Sequence, residues 1–321
     1  SLTYAGNLES LSNEAAHKRY KFSQTNICDR EALRILFTTF RPIGVLHLAA
    51  ESHVDRSIDS PDTFLKTNIL GTYALLESVR DYLDTVSSSC LERFRFHHVS
   101  TDEVFGTLGM DGMFTETSPY QPRSPYAASK AASDHLVGAW SETYGIPSII
   151  SNCSNNYGPY QYPEKLIPVV IRKAVIGAPI PVYGVGNNIR DWLYVDDHAR
   201  ALLMLLENGR PGRTYNVGGG NEKSNLSVVQ AICNVLDRIH PRKNQVSYNE
   251  QISFVTDRPG HDFRYAIDSS RIQTELGWKP EETFASGLEK TVQWYLNNQP
   301  WVETVLESKY HGERLGLGRN P

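Results

Sequence analysis

The chain has 321 residues, 40% hydrophobic and 21% charged, with a formal net charge of -4 and a pI near 6.2. Its length supports a substantial core in one large or two smaller domains, and its balance is that of a folded globular protein rather than a disordered one. The charge, with no block of Lys and Arg, disfavours nucleic acid or an anionic membrane as partner, and apolar runs such as Ala201 to Glu207 fall well short of the roughly 18 residues a membrane span needs.

The start, "SLTYAGNLES", lacks the charged and then apolar pattern of a secretory signal, and Cys28, Cys90, Cys153 and Cys233 are widely spaced with no CxxC. This suits a reducing cytoplasm, with each cysteine a small buried hydrophobe and no metal site expected. Gly6 is the only glycine in the first forty residues, so the strand, Gly-rich turn and helix that hold a dinucleotide pyrophosphate are not found there. The expectation is that about 30 residues, one βα unit and its next strand, are missing from this chain.

Three short apolar stretches then read as buried strands: Ile43 to Ala50, Phe94 to Ser100 and Pro147 to Asn152. Helical spacing of apolar residues fills Thr63 to Leu83 and Tyr126 to Tyr144 between them. Alternation of this kind predicts an α/β fold, a doubly wound parallel sheet whose ligands gather at the carboxyl ends of the strands. "AAESH", "STDE" and "NCSNNYGP" follow the three strands and would face one crevice.

Past Asn156 the prolines multiply, and a smaller, more irregular lobe is expected, with strands in "PIPVYG", "RTYNVG" and "QISFV" and helices over Leu226 to Ile239 and Phe284 to Asn298. Asp196 and Asp197 start a helix that Gly209 stops, and this segment is expected to pack back on the main sheet. "YGVGNN" and "NVGGGN" lack the spacing of a dinucleotide fingerprint and read as turns. The tail after Tyr310 reads as a frayed end.

Two features carry chemistry. Tyr126 and Lys130 stand at i and i+4 near a helix start, on one face, where an ammonium beside a phenol is expected to move the phenol's pKa toward neutrality. A strand ending in Ser100 and Thr101 completes a Ser/Thr, Tyr, Lys oxidoreductase pattern. Asp102 and Glu103 follow at once, and adjacent residues reach one substrate only from a turn, because in a strand they point to opposite faces. Two carboxyl groups in different protonation states can serve as an acid and a base.

Through "LTYAGNLESL", "HLAAESHVDRSI", "HHVSTDEVFG", "SPYAASKAASDHLV", "NCSNNYGPYQYPEKLIP", "IRDWLYVDDHARAL" and "DRPGHDFRYAID", the chain resembles the extended short-chain dehydrogenase/reductase family, and within it the sugar-nucleotide dehydratases, over nearly its whole length. The resemblance implies a Rossmann-type sheet lacking its first βα unit, with a smaller α/β substrate lobe. Residues 1–156 would bind NAD with 188–220 packed against them, and 157–187 and 221–321 would bind the nucleotide sugar. The implied reaction is dehydration of a nucleotide-activated glucose, the dTDP form, to a 4-keto-6-deoxy sugar with NAD recycled.

The carried-over roles place Thr101 and Tyr126 at the carbon 4 oxygen, Lys130 on the nicotinamide ribose, Asp102 as acid and Glu103 as base. Asn26, Ile27, Leu48, Ala49, Ala50, Ser52, Thr67 and Asn156 would join Tyr126 and Lys130 around NAD. Asn26 stands where relatives carry Asp, keeping an acceptor without its charge. Ser52, Thr101, Asn155, Lys165, Leu166, Pro181, Tyr183, Arg190, Asn225, Arg258 and His261 would contact the nucleotide sugar, Arg190 and Arg258 supplying forks for its diphosphate. The helices at 63–83 and 126–144 resemble those that form the family's homodimer. An epimerase or decarboxylase of the same superfamily, disfavoured by the paired acids, and a non-catalytic sugar-nucleotide-binding module remain as alternatives.

Overall fold

A computed structural model describes residues 2–309, with side chains to 306; the tail after Tyr310 lies outside the described residues. Strands β1 (Gly44–His47), β2 (Arg95–Thr101), β3 (Ser148–Cys153) and β7 (Arg213–Val217) form one parallel sheet in that spatial order. The three strands expected from the sequence are present, the first shorter than its apolar run. The chain is thus an α/β protein with a Rossmann-type parallel sheet.

Both faces of the sheet are covered, because neighbouring strand residues point oppositely. Ile150 joins Phe96, Leu76, Val79 and Val137 on the face packed by α1 (Arg30–Phe40), α2 (Thr72–Leu83) and α3 (Pro125–Tyr144). Its neighbour Ile149 joins Leu193, Leu205, Tyr215 and Trp278 on the opposite face. That face is packed by helix α5 (Val195–Asn208), which touches β1, β2 and β3.

The rest of the chain builds two small sheets. In one, β4 (Asn155–Tyr157) pairs in parallel with β6 (Ile189–Tyr194), which pairs antiparallel with β8 (Glu222–Ser224). In the other, β5 (Ile180–Tyr183) lies parallel to β9 (Ile252–Val255). Helices α4 (Leu166–Val175), α6 (Asn225–Ile239) and α7 (Phe284–Asn297) share a second core around Ile171, Trp192, Val229, Ile232 and Leu288.

Helix ends follow their local chemistry. The Ser124 side chain accepts from the Ala127 N–H ahead of Pro125 at the start of α3, and Gly145 (φ 68°) closes it in the left-handed conformation. Asp29 caps α1 through the Ala32 N–H, and a Thr283–Ser286 capping box opens α7.

Two expectations are corrected. The segment Thr63 to Leu83 is helical but not uniformly α: Pro61–Phe64 runs into a π-helical stretch, Leu65–Gly71, before α2. The wider turn serves Asn68, whose amide accepts from the Glu51 N–H (2.9 Å) and donates to the Glu51 carbonyl (3.0 Å) and Ser129 (2.8 Å). Only Cys233 of the four cysteines is buried; Cys28 and Cys90 sit in a surface turn and a short helix, and Cys153 ends β3, all partly exposed.

Phe96, fully buried at the centre of β2, tests this packing. Phe96→Ala is expected to cost about 3–5 kcal/mol through lost burial and an unfilled cavity, read as a lower urea midpoint; an unchanged midpoint would contradict the assignment of the core.

Candidate active site

The site begins where β2 runs out. Thr101 leaves the strand extended, and its hydroxyl accepts from the Glu103 N–H at 3.3 Å, starting a single 3-10 turn, Asp102–Phe105. Gly106 ends the turn at φ 87°, and a Cβ there would stand 2.5 Å from the Gln121 carbonyl oxygen, so only glycine fits. This turn sets the two adjacent acids side by side at the end of the strand, Glu103 at the cavity and Asp102 buried next to it.

Their environments differ. Asp102 is buried at 1% exposure, and one of its oxygens, Oδ2, has no hydrogen-bond partner among the described residues. Burial raises its pKa well above the usual range, reinforced by the charges of Glu103 and Asp191 and only partly opposed by Arg190 and the Thr101 hydroxyl. Burial also raises Glu103, but three cations, Arg258, Arg190 and Lys165, oppose it. Asp102 therefore holds its proton, and Glu103 is the acid surrounded by positive charge.

Helix α3 supplies the next pair. Tyr126 is buried beside the turn and hydrogen-bonded to Thr101. Lys130, one turn on, donates to the Val99 carbonyl at 2.9 Å and lies 3.4 Å from His98 Nε2. The expectation that Lys130 pulls the Tyr126 phenol toward neutrality is overturned. Burial pushes that pKa well above its ordinary value, and the neighbouring Glu103 pushes it further, so the phenol stays protonated. Burial lowers the Lys130 pKa, against the pull of Asp134.

In front of these groups lies a cavity of about 470 Å³. Glu103 lines it together with Asn155, Lys165, Leu166, Pro181, Tyr183, Arg190, Asn225, Arg258 and His261, so nine residues expected to meet the nucleotide sugar share one wall. Thr101, Asp102, Tyr126 and Lys130 stand behind Glu103 rather than in the wall. Ser52 is exposed and outside it, though its carbonyl accepts from Lys165 Nζ at 3.1 Å.

The cations are held in different ways. The Arg190 guanidinium donates to the carbonyls of Ile189 (2.8 Å) and Asp262 (3.0 Å) and stacks over the Tyr265 ring at 4.3 Å. Arg258 instead pairs with Asp55 at 2.6 Å. His261 donates to or accepts from Asp257 at 2.6 Å according to its tautomer, and burial lowers its pKa to about 4.

Sequence reasoning missed Asp55, His53, Glu164, Val169, Lys173 and Trp192, all in the cavity wall. Spacing could have found two of them: Leu166, Val169 and Lys173 follow one another at i, i+3 and i+7 along α4. Nothing local announces that Asp55 meets Arg258 across 203 positions.

The residues expected around NAD divide into two groups. Tyr126 and Lys130 are side chains assembled at the carboxyl ends of the strands, with Thr101 against them, and they suit the nicotinamide half of the cofactor. Leu48, Ala49 and Asn26 are exposed and Ile27, Ala50 and Thr67 half-buried along the open end of β1, suiting contact with an extended ligand. The Asn26 side-chain oxygen is engaged by its own turn, accepting from the Cys28 N–H at 3.0 Å. Asn156 faces inward, its Oδ1 2.8 Å from His198 Nδ1. Among the described residues no Gly-rich turn enters a helix, and none of the His, Cys, Asp and Glu groups is arranged to hold a metal.

The family model described as GDP-mannose 4,6 dehydratase matches residues 1–291. The dTDP-glucose 4,6-dehydratase of Neisseria meningitidis serogroup B is 58% identical over 321 residues, 99% of this chain and 90% of that protein. The crystal structure of dTDP-glucose 4,6-dehydratase from Bacillus anthracis in complex with NAD superposes with a TM-score of 0.83 at 41% identity, over 95% of this chain and 88% of that one. The Streptomyces venezuelae dTDP-glucose 4,6-dehydratase, also solved with NAD bound, gives 0.86 at 41% identity over the same shares.

Buried histidines set an acid limit to stability. Burial lowers His97 and His198 to about 4, so each is neutral when folded and binds a proton near pH 6.5 once unfolded. Protons then favour the unfolded chain from about pH 6.5 down to 4, and stability falls across that window. The thermal midpoint should drop on acidification from pH 7 to 4, and His97→Gln should flatten the drop; an unchanged slope would contradict the burial of a neutral ring.

Proposed function

This chain belongs to the nucleotide-sugar 4,6-dehydratase family, and we propose that it is a hydro-lyase converting dTDP-glucose to the 4-keto-6-deoxy sugar. The observation that carries this reading is the pair on the turn after β2: a buried, protonated Asp102 beside a Glu103 that faces the cavity and its cations.

The hydroxyl at carbon 6 is a poor leaving group, and the hydrogen at carbon 5 is acidic only when carbon 4 is a ketone. NAD, when bound, supplies the hydride acceptor that oxidises carbon 4 and later returns the hydride to carbon 6. Thr101 and Tyr126 hold the carbon 4 oxygen, whose proton passes through their hydroxyls and over the turnover replaces the one that Asp102 gives up, and Lys130 holds the nicotinamide ribose. Asp102 gives its proton to the departing carbon 6 hydroxyl, which leaves as water. Glu103 takes the proton from carbon 5 and gives it back there when the hydride returns to carbon 6.

Arg190, Arg258 and Lys165 gather positive charge for the diphosphate in a chain whose net charge is -4. Asn155, Asn225 and His261 add polar contacts. Leu166, Pro181 and Tyr183 form the apolar end that suits the base. Leu48, Ala49, Ala50, Ser52, Thr67, Asn26, Ile27 and Asn156 complete the NAD contacts. In this division 1–156 with 188–220 serve the cofactor and 157–187 with 221–321 the nucleotide sugar, with Asn155 and Arg190 reaching across to the sugar side.

No helix among the described residues is long and apolar enough to cross a membrane, and all four cysteines are free thiols. These features support placement in the reducing cytoplasm. Leu65 (49% exposed) and Leu70 (59%) on the π-helical stretch, with Tyr73 and Tyr144, leave apolar surface on 61–83 and α3. These two helices are assigned to a homodimer contact.

Incubation of the full-length protein with dTDP-glucose and NAD should yield the 4-keto-6-deoxy product with no net NADH. Glu103→Gln and Asp102→Asn should each lower kcat by about 10²–10⁴-fold; absence of product, or full activity in both variants, would refute the reading. Light scattering should give twice the chain mass, and Leu70→Asp should shift the population toward monomer.

A further inference from the structure

Behind the catalytic groups lies a buried acid that the reaction does not use. Asp134 is 3% exposed and follows Lys130, 4% exposed, by one turn of α3. Both side chains reach β2. Lys130 Nζ donates to the Val99 carbonyl at 2.9 Å, and Asp134 Oδ2 accepts from Ser100 Oγ at 2.7 Å. The His98 ring stands between them, its Nε2 3.4 Å from Lys130 Nζ and 3.2 Å from Asp134 Oδ1. Asp134 Oδ1 is fully buried and makes no hydrogen bond among the described residues.

A buried ammonium with one short acceptor is costly unless an opposite charge lies near it, and a buried carboxylate is costly for the same reason. We propose that Asp134 is the positioning residue for Lys130, a buried counter-charge that, held by Ser100 and spaced by the His98 ring, keeps the ammonium charged and aimed at the cofactor ribose. The proposal rests on the role given to Lys130 in the preceding section.

Among the described residues no other carboxylate acts comparably on Lys130, whose pKa is lowered by burial and raised first by Asp134 and then by Cys153 at the end of β3. His98 on β2 and His47 on β1, rings 5.0 Å apart, are held neutral by burial and add no charge. Tyr120, from the segment leading into α3, hydrogen-bonds to Asp134, and His135 is its neighbour in sequence. Burial raises Asp134 to about 6, restrained by Lys130 and the Ser100 hydroxyl. The counter-charge is therefore present above about pH 6 and lost below it.

Three variants test the link with two readouts: the pH profile of dTDP-glucose conversion, and the titration of Lys130 followed by NMR on chain labelled at lysine Cε. In Asp134→Asn the Lys130 signal should titrate about one pH unit lower, a tenfold loss of proton affinity. The alkaline limit of kcat should move down with it while KM for dTDP-glucose changes little. Ser100→Ala should keep the alkaline limit but raise the acid limit, because Asp134 then protonates more readily. Asp134→Glu should restore part of the alkaline shift.

An Asp134→Asn profile scaled down equally at every pH, or an unmoved Lys130 titration, would overturn the proposal. Should Asp134→Asn not fold, an acid limit unmoved in Ser100→Ala would overturn it instead. Full conversion by Lys130→Met would refute the role of Lys130 itself, and the Lys130 titration in Asp134→Asn would still decide the electrostatic link.

Discussion

A carboxyl group keeps its proton at neutral pH only where water cannot reach its charged form, and the turn at the end of β2 is built around that constraint. In water Asp102 and Glu103 would both ionise near pH 4. Placed side by side, Asp102 buried and Glu103 half-buried at the cavity, they separate. Asp102 has Asp191 and Glu103 for neighbours and one opposing guanidinium; Glu103 sees Arg258, Arg190 and Lys165. The low dielectric that raises both acids also strengthens each of these neighbours, so small differences in placement set the two acids apart, Asp102 raised further and Glu103 held back by its cations. Two adjacent carboxyl groups thereby acquire the different environments that the proposed acid and base need.

The same constraint governs the cations. Arg190 is buried, yet its guanidinium is satisfied by main-chain carbonyls and the Tyr265 face rather than by a carboxylate, so its charge remains uncompensated toward the cavity. Arg258 is steadied by Asp55 but keeps donors beyond the one that meets it. Glu164, the other acid of the wall, is turned to Arg56 and Tyr4 on the far side, at 2.8 and 2.9 Å. Of the three acids in the cavity wall, Asp55 is taken up by Arg258 and Glu164 by Arg56, which leaves Glu103 facing Arg190 and Lys165.

What could be read in the sequence was what local spacing controls. The strands at 94–100 and 147–152, the helices from Tyr126 and Leu226, and the three polar clusters at strand ends all follow from periodicity and from the rule that ligands meet a parallel sheet at its carboxyl edge. Nine cavity residues followed from the family resemblance. The π-helical stretch escaped, because one extra residue per turn barely disturbs an apolar pattern over seven residues. The sign of the Tyr126 shift was wrong because it is set by burial and by acids on another element, and i to i+4 spacing reports neither. Asp55 escaped since its partner lies 203 residues away.

The groups proposed to be catalytic hold together because α3 and β2 keep step. Four helical residues advance about 6 Å, and two strand residues advance about 6.6 Å. Running back along the strand, Tyr126 meets Thr101, and Lys130 meets Val99 one helical turn later. Asp134 comes after another turn, beside His98, with Ser100 on the same strand face. A one-residue slip of β2 would turn His98 and Ser100 away from the helix and bring His97, which pairs with Ser151 and lies near His198, into their place. The buried polar partners on both faces of β2 therefore fix its register together with Phe96, and through that register they bring the tyrosine, the lysine and the two acids to one end of the strand.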